Sequence, residues 1–295
     1  MRIFVPLDGS ETAEYALGPA AHLARDCESP ARLILLRVVP QITAIDENRS
    51  VISASNTAMA QCEGYLRELT LRPSLAGIAV EWHVIATQGS VAETISREAK
   101  AQHADLILLA RHKHDSSLLY SFLSVAQRVA RSTTIPTLIF TVEDTVHSLV
   151  MLPRPFTILL PLDGSHLAEK SIIPAIKLAR GLRGKLLLLM VLPDDEPDPH
   201  IAELVLEGAE NYLQAQHRKI EQCGVMAEYG ITFGVPAERI STMATCWRVN
   251  AIAMATHGRV GVARLLGGSI TEEVLAQVHQ PMLLIHPQAA MVPAT

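Results

Sequence analysis

The sequence predicts an α/β protein made of two tandem domains, each an open five-stranded parallel sheet flanked by helices. Three observations lead to this prediction. The chain has 295 residues, which suits two domains of ordinary size. Short apolar runs of strand length alternate with longer segments of helical periodicity. Aromatic residues make up only 4% of the chain, and a core of Leu, Ala, Val and Ile favours parallel strands covered by helices over a β-sandwich.

The second half of the chain repeats the first. Residues 4–10 read Phe-Val-Pro-Leu-Asp-Gly-Ser, and residues 159–165 read Leu-Leu-Pro-Leu-Asp-Gly-Ser. The apolar runs that end at Pro40 and Pro193 match in the same way. An internal repeat of this length indicates two homologous domains. We expect them at residues 1–145 and 153–290.

The elements follow in the same order in each copy. A first strand ends at Asp-Gly-Ser, and Ser10 or Ser165 is placed to cap the helix that follows. Because parallel pairing needs a crossover helix between strands, the alternation of the two element types predicts a parallel sheet. We expect helices over Thr12–Arg25, Ser53–Leu71 and Ala92–Gln102 in the first copy, and over Leu167–Arg180, Ile201–Cys223 and Ala237–Arg248 in the second.

Charge, hydropathy and cysteine usage narrow the class of protein. The formal net charge of −5 argues against a nucleic-acid partner. No stretch approaches the roughly 20 apolar residues of a membrane helix, and the first residues enter a strand without a signal-peptide pattern. Cysteines 27, 62, 223 and 246 form no CxxC pair and are expected as buried thiols. We therefore expect a cytoplasmic protein with no membrane partner.

A glycine-containing loop near the end of the second copy is the strongest functional signal. A strand ends at Ala255, and Gly268 and Ser269 open the final helix. Glycines allow the backbone to approach a ligand closely, and a helix N-terminus offers unpaired N–H groups and partial positive charge. Arg259, together with the Ser269 and Thr271 hydroxyls, would add donors for phosphate oxygens. Taken alone, this loop is better explained as a structural cap of the final helix than as an anion site.

The loop does not stand alone. Pro-Leu-Asp-Gly-Ser after the first strand, Val-x-Pro after the second and Met-Ala-Thr-His-Gly-Arg-Val-Gly from residue 254 together resemble the universal stress protein family in a tandem two-domain form. The family's nucleotide pattern is G-x2-G-x9-G-[ST]. This chain gives Ala255-x2-Gly258-x9-Gly268-Ser269, with Ala in place of the first Gly. The resemblance implies a Rossmann-like fold of the adenine nucleotide alpha hydrolase type.

The resemblance also implies a set of nucleotide-binding residues. Asp163, which follows Pro161 in the strand-end loop, would meet the adenine end, and the Val191 backbone would meet the adenine edge. The remaining residues would contact the ribose and phosphates: Ala255, Gly258, Arg259, Gly268, Ser269, Ile270 and Thr271.

The first copy departs further from the pattern. Lys113 and Leu123 occupy the second and third glycine positions, and only Ser124 is retained. Because side chains at these positions block a backbone cradle, we expect a degenerate, structural copy. The alternative is that Arg111, His112, Lys113 and His114 hold phosphates through their side chains.

The predicted function is regulatory binding of ATP, or of ADP or AMP, by the second copy, with an unidentified protein partner. Mg²⁺ bound by the acidic run 194–198 is a minor alternative to a solvated loop. A nucleotide-free scaffold is the competing hypothesis. A hydrolase or ligase of the same fold would need a Ser-Gly-Gly-x-Asp-Ser segment, which Asp8-Gly9-Ser10 and Asp163-Gly164-Ser165 do not supply. No residue is placed as a general base, so an enzyme is not predicted, and slow ATP hydrolysis stays open.

The last strand of each copy is an apolar edge that needs covering. We expect the two copies to pair through 137–140 and 282–286 as a pseudo-dimer within the chain, with a further homodimer as an open alternative.

Overall fold

The computed structural model describes residues 1–40, 51–111, 125–142, 155–194, 198–256 and 270–288, with the side chains of residues 51–56 excepted. The chain divides into two compact units, Met1–Val142 and Glu143–Thr295. Each unit has its own apolar core, formed by its central strands and the helices that cover them.

The first unit alternates strands and helices from its first residues. Its elements are β1 (Arg2–Leu7), α1 (Glu11–Glu14), α2 (Leu17–Asp26), β2 (Arg32–Pro40), α3 (Val51–Thr70), a 3₁₀ turn (Pro73–Leu75), β3 (Ala79–Thr87), α4 (Val91–Ala101), β4 (Leu106–Arg111), α5 (Val125–Ser132) and β5 (Thr137–Thr141).

The second unit repeats that order. Its elements are β6 (Thr157–Pro161), α6 (His166–Glu169), α7 (Ile172–Gly181), β7 (Lys185–Leu192), α8 (Pro199–Gln222), β8 (Met226–Phe233), α9 (Pro236–Cys246), β9 (Ala251–Ala255), α10 (Ile270–Gln277) and β10 (Met282–Ile285).

The sheet topology confirms the predicted fold class. In the first unit the strands lie in the order β3-β2-β1-β4-β5, and in the second in the order β8-β7-β6-β9-β10. Every described pairing within each unit is parallel. The order reverses beside the first strand of each unit. Such a reversal is the switch point at whose carboxyl edge open α/β sheets bind ligands.

The helix after the first strand is broken in both units, where the sequence predicted one segment. Tyr15 ends α1 and Ala16 precedes α2; in the second unit Lys170 and Ser171 stand at the same break. Pro19 and Pro174 lie in the first turns of α2 and α7, where a missing N–H costs nothing. A proline ring would clash with the carbonyl four residues earlier in a continuous helix, which accounts for the break.

Among the described residues, no helix is both long and apolar enough to cross a membrane.

The prediction of buried cysteines is wrong, because Cys246 is exposed and the other three are only half-buried. Cys246 is the last residue of α9, a position on the solvent side of that helix. All four are free thiols.

Candidate functional site

The turn after β6 holds Asp163 at the carboxyl edge of the second sheet. The Asp163 Oδ1 atom accepts a hydrogen bond from the Ser165 backbone N–H at 2.9 Å. Gly164 has a φ of +79°, which a residue with a β-carbon rarely adopts. Ser165 Oγ then accepts from the Ala168 N–H at 3.1 Å, so the predicted N-cap is confirmed. Asp163 is exposed, and its Oδ2 atom has no partner among the described residues.

The end of β7 offers open backbone groups beside that turn. The Leu162 N–H donates to the Leu189 carbonyl, whereas the Gly234 N–H donates to the Leu192 carbonyl. Alternate residues of a parallel strand direct their backbone groups to the same side. The N–H and C=O of Val191 therefore face the β6 side. No described residue of β6 or its turn bonds to them.

The end of β9 is tied directly to the start of α10. Ala255 is buried and pairs in parallel register with Ile285 of β10. The Thr271 hydroxyl donates to the Ala255 carbonyl at 3.1 Å, and Thr271 is itself buried. The single hydroxyl hydrogen is thus used within the protein, so in this arrangement Thr271 does not donate to a phosphate. Ile270, the first residue of α10, is exposed.

Part of the predicted constellation lies outside the described residues. In the second unit these are Gly258, Arg259, Gly268 and Ser269; in the first they are His112, Lys113, His114, Leu123 and Ser124. The structure therefore brings Pro161, Asp163, Val191 and Ala255 to one edge, with Ile270 and Thr271 at the start of the adjoining helix.

The matching turn of the first unit has the same form but different surroundings. Asp8 Oδ1 accepts from the Ser10 N–H at 2.9 Å and from the Ser10 hydroxyl at 2.5 Å. Gly9 has a φ of +83°, and a β-carbon there would lie 3.8 Å from the Arg37 guanidinium. Arg37 Nη1 also donates to the Leu7 carbonyl at 3.4 Å. A cation thus rests over this turn, where Met190 is the equivalent residue of the second unit.

A half-buried carboxylate–phenol contact supports the turn, and the sequence analysis did not predict it. Glu14 of α1 accepts from the Tyr65 hydroxyl at 2.9 Å and pairs with Arg72. Burial, and then the hydrogen bond to Glu14, raise the pKa of Tyr65 well above its usual value. This contact joins the long helix α3 to the short helix that follows the Asp-Gly-Ser turn.

The second unit carries the equivalent residues. Glu169 of α6 accepts from Gln216 Nε2 at 3.0 Å. Burial, followed by the negative charge of Glu169, raises the pKa of Tyr212 above its usual value, with a smaller contribution from Asp163. Tyr212 therefore lies near both carboxylates. The signal was present in the repeat, since Glu14 aligns with Glu169 and Tyr65 with Tyr212.

The described part of the acidic run after β7 has a structural role. Asp198 Oδ1 accepts from the His200 N–H at 2.9 Å and caps α8. Asp194 is exposed. Within the described ranges, no group of three or more His, Cys, Asp or Glu side chains is arranged to hold a metal ion.

Comparison with known proteins gives a consistent result over nearly the whole chain. A model of the universal stress protein family matches residues 1–141 and again residues 156–286. Universal stress protein MJ0531 of Methanocaldococcus jannaschii is 29% identical over 136 residues, which cover 43% of this chain and 80% of that protein. Universal stress protein Sll1388 of Synechocystis is 25% identical over 148 residues, which cover 43% of this chain and 96% of that protein.

The fold likeness extends through both units. A crystal structure of a universal stress protein from Archaeoglobus fulgidus aligns with a TM-score of 0.65 at 19% identity. The alignment covers 97% of this chain and 96% of that one.

Proposed function

This chain belongs to the universal stress protein family, and from that premise we propose that its second unit binds ATP or a related adenine nucleotide as a regulatory ligand. One universal stress protein has been solved in complex with cAMP, so at least one protein of that name binds an adenine nucleotide. In this chain, occupancy of the 255–269 loop would alter the surface that an unidentified partner protein meets.

The observation that carries the proposal is the convergence of three groups at the switch point of the second sheet. β6 lies between β7 and β9, and the strand order reverses between β6 and β9. The Asp163 turn, the open backbone of Val191 and the end of β9 at Ala255 all lie at the carboxyl edge there. Ligands of open α/β sheets bind at this position.

The adenine end of the site has a matching hydrogen-bonding character. Adenine presents an amino donor next to a ring-nitrogen acceptor, whereas guanine presents two acceptors along the same edge. The free Oδ2 of Asp163 accepts, and the Val191 backbone supplies one donor and one acceptor. Guanine would place its carbonyl oxygen against an acceptor, so this edge favours adenine.

At the phosphate end of the proposed site, the contacts would come from the residues of the sequence motif and from the start of α10. Gly258 and Gly268 would let the backbone approach the phosphates, while Arg259 and the Ser269 hydroxyl would donate to them. The first N–H groups of α10 have no partner within the helix and favour negative charge. Mg²⁺ accompanying the nucleotide would neutralise further phosphate charge.

The cellular compartment follows from the cysteines. Free thiols at all four positions favour a reducing environment, and we propose the cytoplasm.

Titration calorimetry with matched variants tests the proposal. Asp163→Asn keeps an oxygen to accept from the Ser165 N–H but replaces the second acceptor with a donor. We expect it to weaken ATP, ADP or AMP binding by about tenfold or more, the effect of losing a hydrogen bond to a charged group. Asp8→Asn makes the same change in the first unit and should leave the affinity unchanged.

The competing function is a nucleotide-free scaffold, which the replacement of the first motif glycine by the buried Ala255 favours. A melting temperature that does not move at millimolar nucleotide with Mg²⁺ would establish the scaffold and refute nucleotide binding.

A further inference from the structure

A groove within the second unit lies at the opposite end of the strands from the switch point. It has a volume of about 490 Å³ and is lined by residues that include Lys185, Leu187, Glu228, Tyr229, Trp247 and Arg248. Lys185 is the first residue of β7, and Thr157, which also lines the groove, is the first residue of β6. Its size lies within the range of small-molecule sites. We call it the Trp247 groove.

One wall of the Trp247 groove is an aromatic surface held in place by the sheet. Trp247 follows the last residue of α9, and the residue is 36% exposed. A β-carbon at Gly230 would lie 3.1 Å from the indole, so the indole rests directly over the bare backbone of β8. The Tyr229 ring lies on the opposite face of β8, in an edge contact with His217 at 5.7 Å, so the aromatic wall is formed by Trp247.

The charge of the groove is positive by one unit. Lys185 Nζ pairs with Glu228 Oε1 at 2.7 Å, which balances those two groups. The Arg248 backbone N–H donates to the Thr245 carbonyl, whereas its exposed side chain has no hydrogen bond or ion pair with any described residue. Its guanidinium therefore remains available to a ligand, in a chain whose net charge is −5.

The first unit shows which of these features belong to the scaffold. The strand registers align Arg32 with Lys185 and Glu81 with Glu228, and the ion pair recurs as Arg32–Glu81. At the positions of the aromatic wall the first unit has His83 for Gly230 and Gln102 for Trp247. The ion pair is thus common to both copies, whereas the indole, its glycine seat and the adjoining arginine are specific to the second.

We propose that the Trp247 groove binds a small planar aromatic anion. The ring would stack on the Trp247 indole, since aromatic faces gain by offset stacking beyond their buried area. A carboxylate group on this ligand would pair with the Arg248 guanidinium, whose planar arrangement of N–H donors matches the two carboxylate oxygens. This site is separate from the switch point and does not depend on nucleotide binding.

NMR titration of the full chain tests the proposal. The chain has two tryptophans, so the indole N–H region holds a peak from Trp82 as an internal control and one from Trp247. With 2-naphthoate as the probe, the Trp247 peak should move saturably while the Trp82 peak stays. 2-Naphthylmethanol, which lacks the charge, and decahydro-2-naphthoate, which lacks the aromatic ring, should both bind more weakly.

Two variants complete the test. Arg248→Gln should weaken 2-naphthoate binding by about fivefold, the upper end for an exposed charge pair. The equivalent His103→Gln should leave it unchanged. The proposal is overturned if the Trp247 peak does not move, if decahydro-2-naphthoate binds as well as 2-naphthoate, or if Arg248→Gln has no effect.

Discussion

The two Asp-Gly-Ser turns differ less in themselves than in what lies over them. Both place the aspartate Oδ1 atom 2.9 Å from the serine N–H, and both have a glycine with φ near +80°. In the first unit the Arg37 guanidinium lies over the turn, while the second unit has Met190 at that position. The first turn therefore has a guanidinium over its glycine, and the second has an uncharged side chain at that position, while Asp8 and Asp163 are both exposed.

This comparison separates the features that both units retain because they stabilise the fold from the features that differ between the units. The N-caps at Ser10 and Ser165 and the glutamates at 14 and 169 hold the turn in place, and both units keep them. The residues that differ, Arg37 and Met190, lie toward the carboxyl ends of β2 and β7. We therefore expect the two units to share their stability determinants and to differ in binding.

The largest expected effect is on nucleotide affinity. Gly268→Val introduces a branched side chain where the motif requires close approach of the backbone to phosphate. We expect a loss of more than about 100-fold in affinity, equivalent to about 2.7 kcal/mol, with the melting temperature of the free protein unchanged. Leu123→Val at the equivalent position of the first unit is the control and should bind as the wild type. Equal affinity for wild type and Gly268→Val would contradict the assignment of the loop.

An intermediate effect is expected on stability, at the turn before the second strand of each unit. A β-carbon at Gly184 would lie 2.2 Å from the Phe156 carbonyl oxygen, so the backbone must shift. We expect Gly184→Ala to lower the free energy of unfolding by about 1–3 kcal/mol, as overpacking does.

The first unit has Ala31 at the matching position. Ala31→Gly should cost at most about 1 kcal/mol through backbone entropy. Urea unfolding followed by Trp247 fluorescence in a Trp82→Phe background measures the first change, and the reverse background measures the second. A Gly184→Ala protein as stable as the wild type would show that the close approach is not rigid.

The smallest expected effect is on the stability of the protein at alkaline pH. Burial and neighbouring carboxylates raise the pKa of Tyr65 and Tyr212 above the ordinary value of 10.0. In the native protein these two phenols keep their protons at pH values where the same phenols in the unfolded chain begin to lose them. Their stabilising contribution is complete below pH 10 and is lost as pH rises through the raised pKa values.

Phenylalanine at either position removes this titration. Unfolding curves at about pH 9 and pH 11 should show a smaller loss of stability for Tyr65→Phe and Tyr212→Phe than for the wild type. A parallel loss in all three proteins would show that these phenols are not the cause.

The fold could be predicted because apolar periodicity and the internal repeat both identify whole helices and strands. The broken first helix was not predicted, although Pro19 and Pro174 signalled it, because the helical spacing of apolar residues continues across the break. The Glu14–Tyr65 contact joins residues 51 positions apart, and local patterns do not reveal such a pair. Comparing the two copies column by column would have found it, and would also have exposed the Arg37 and Met190 difference.

The site was predicted less completely. Asp163 and Val191 lie where the strand-end rule and the family resemblance put them, because parallel strands end at one edge. The role of the Thr271 hydroxyl in bonding Ala255 depends on how β9 and α10 approach each other, which spacing alone does not fix.

The central claim is that the second unit holds the nucleotide and the first does not. Counting bound nucleotide by equilibrium dialysis against radiolabelled ATP, at saturating ligand, tests it most directly. We expect one nucleotide per chain in the wild type and in Asp8→Asn. Two per chain, or none, would contradict the account.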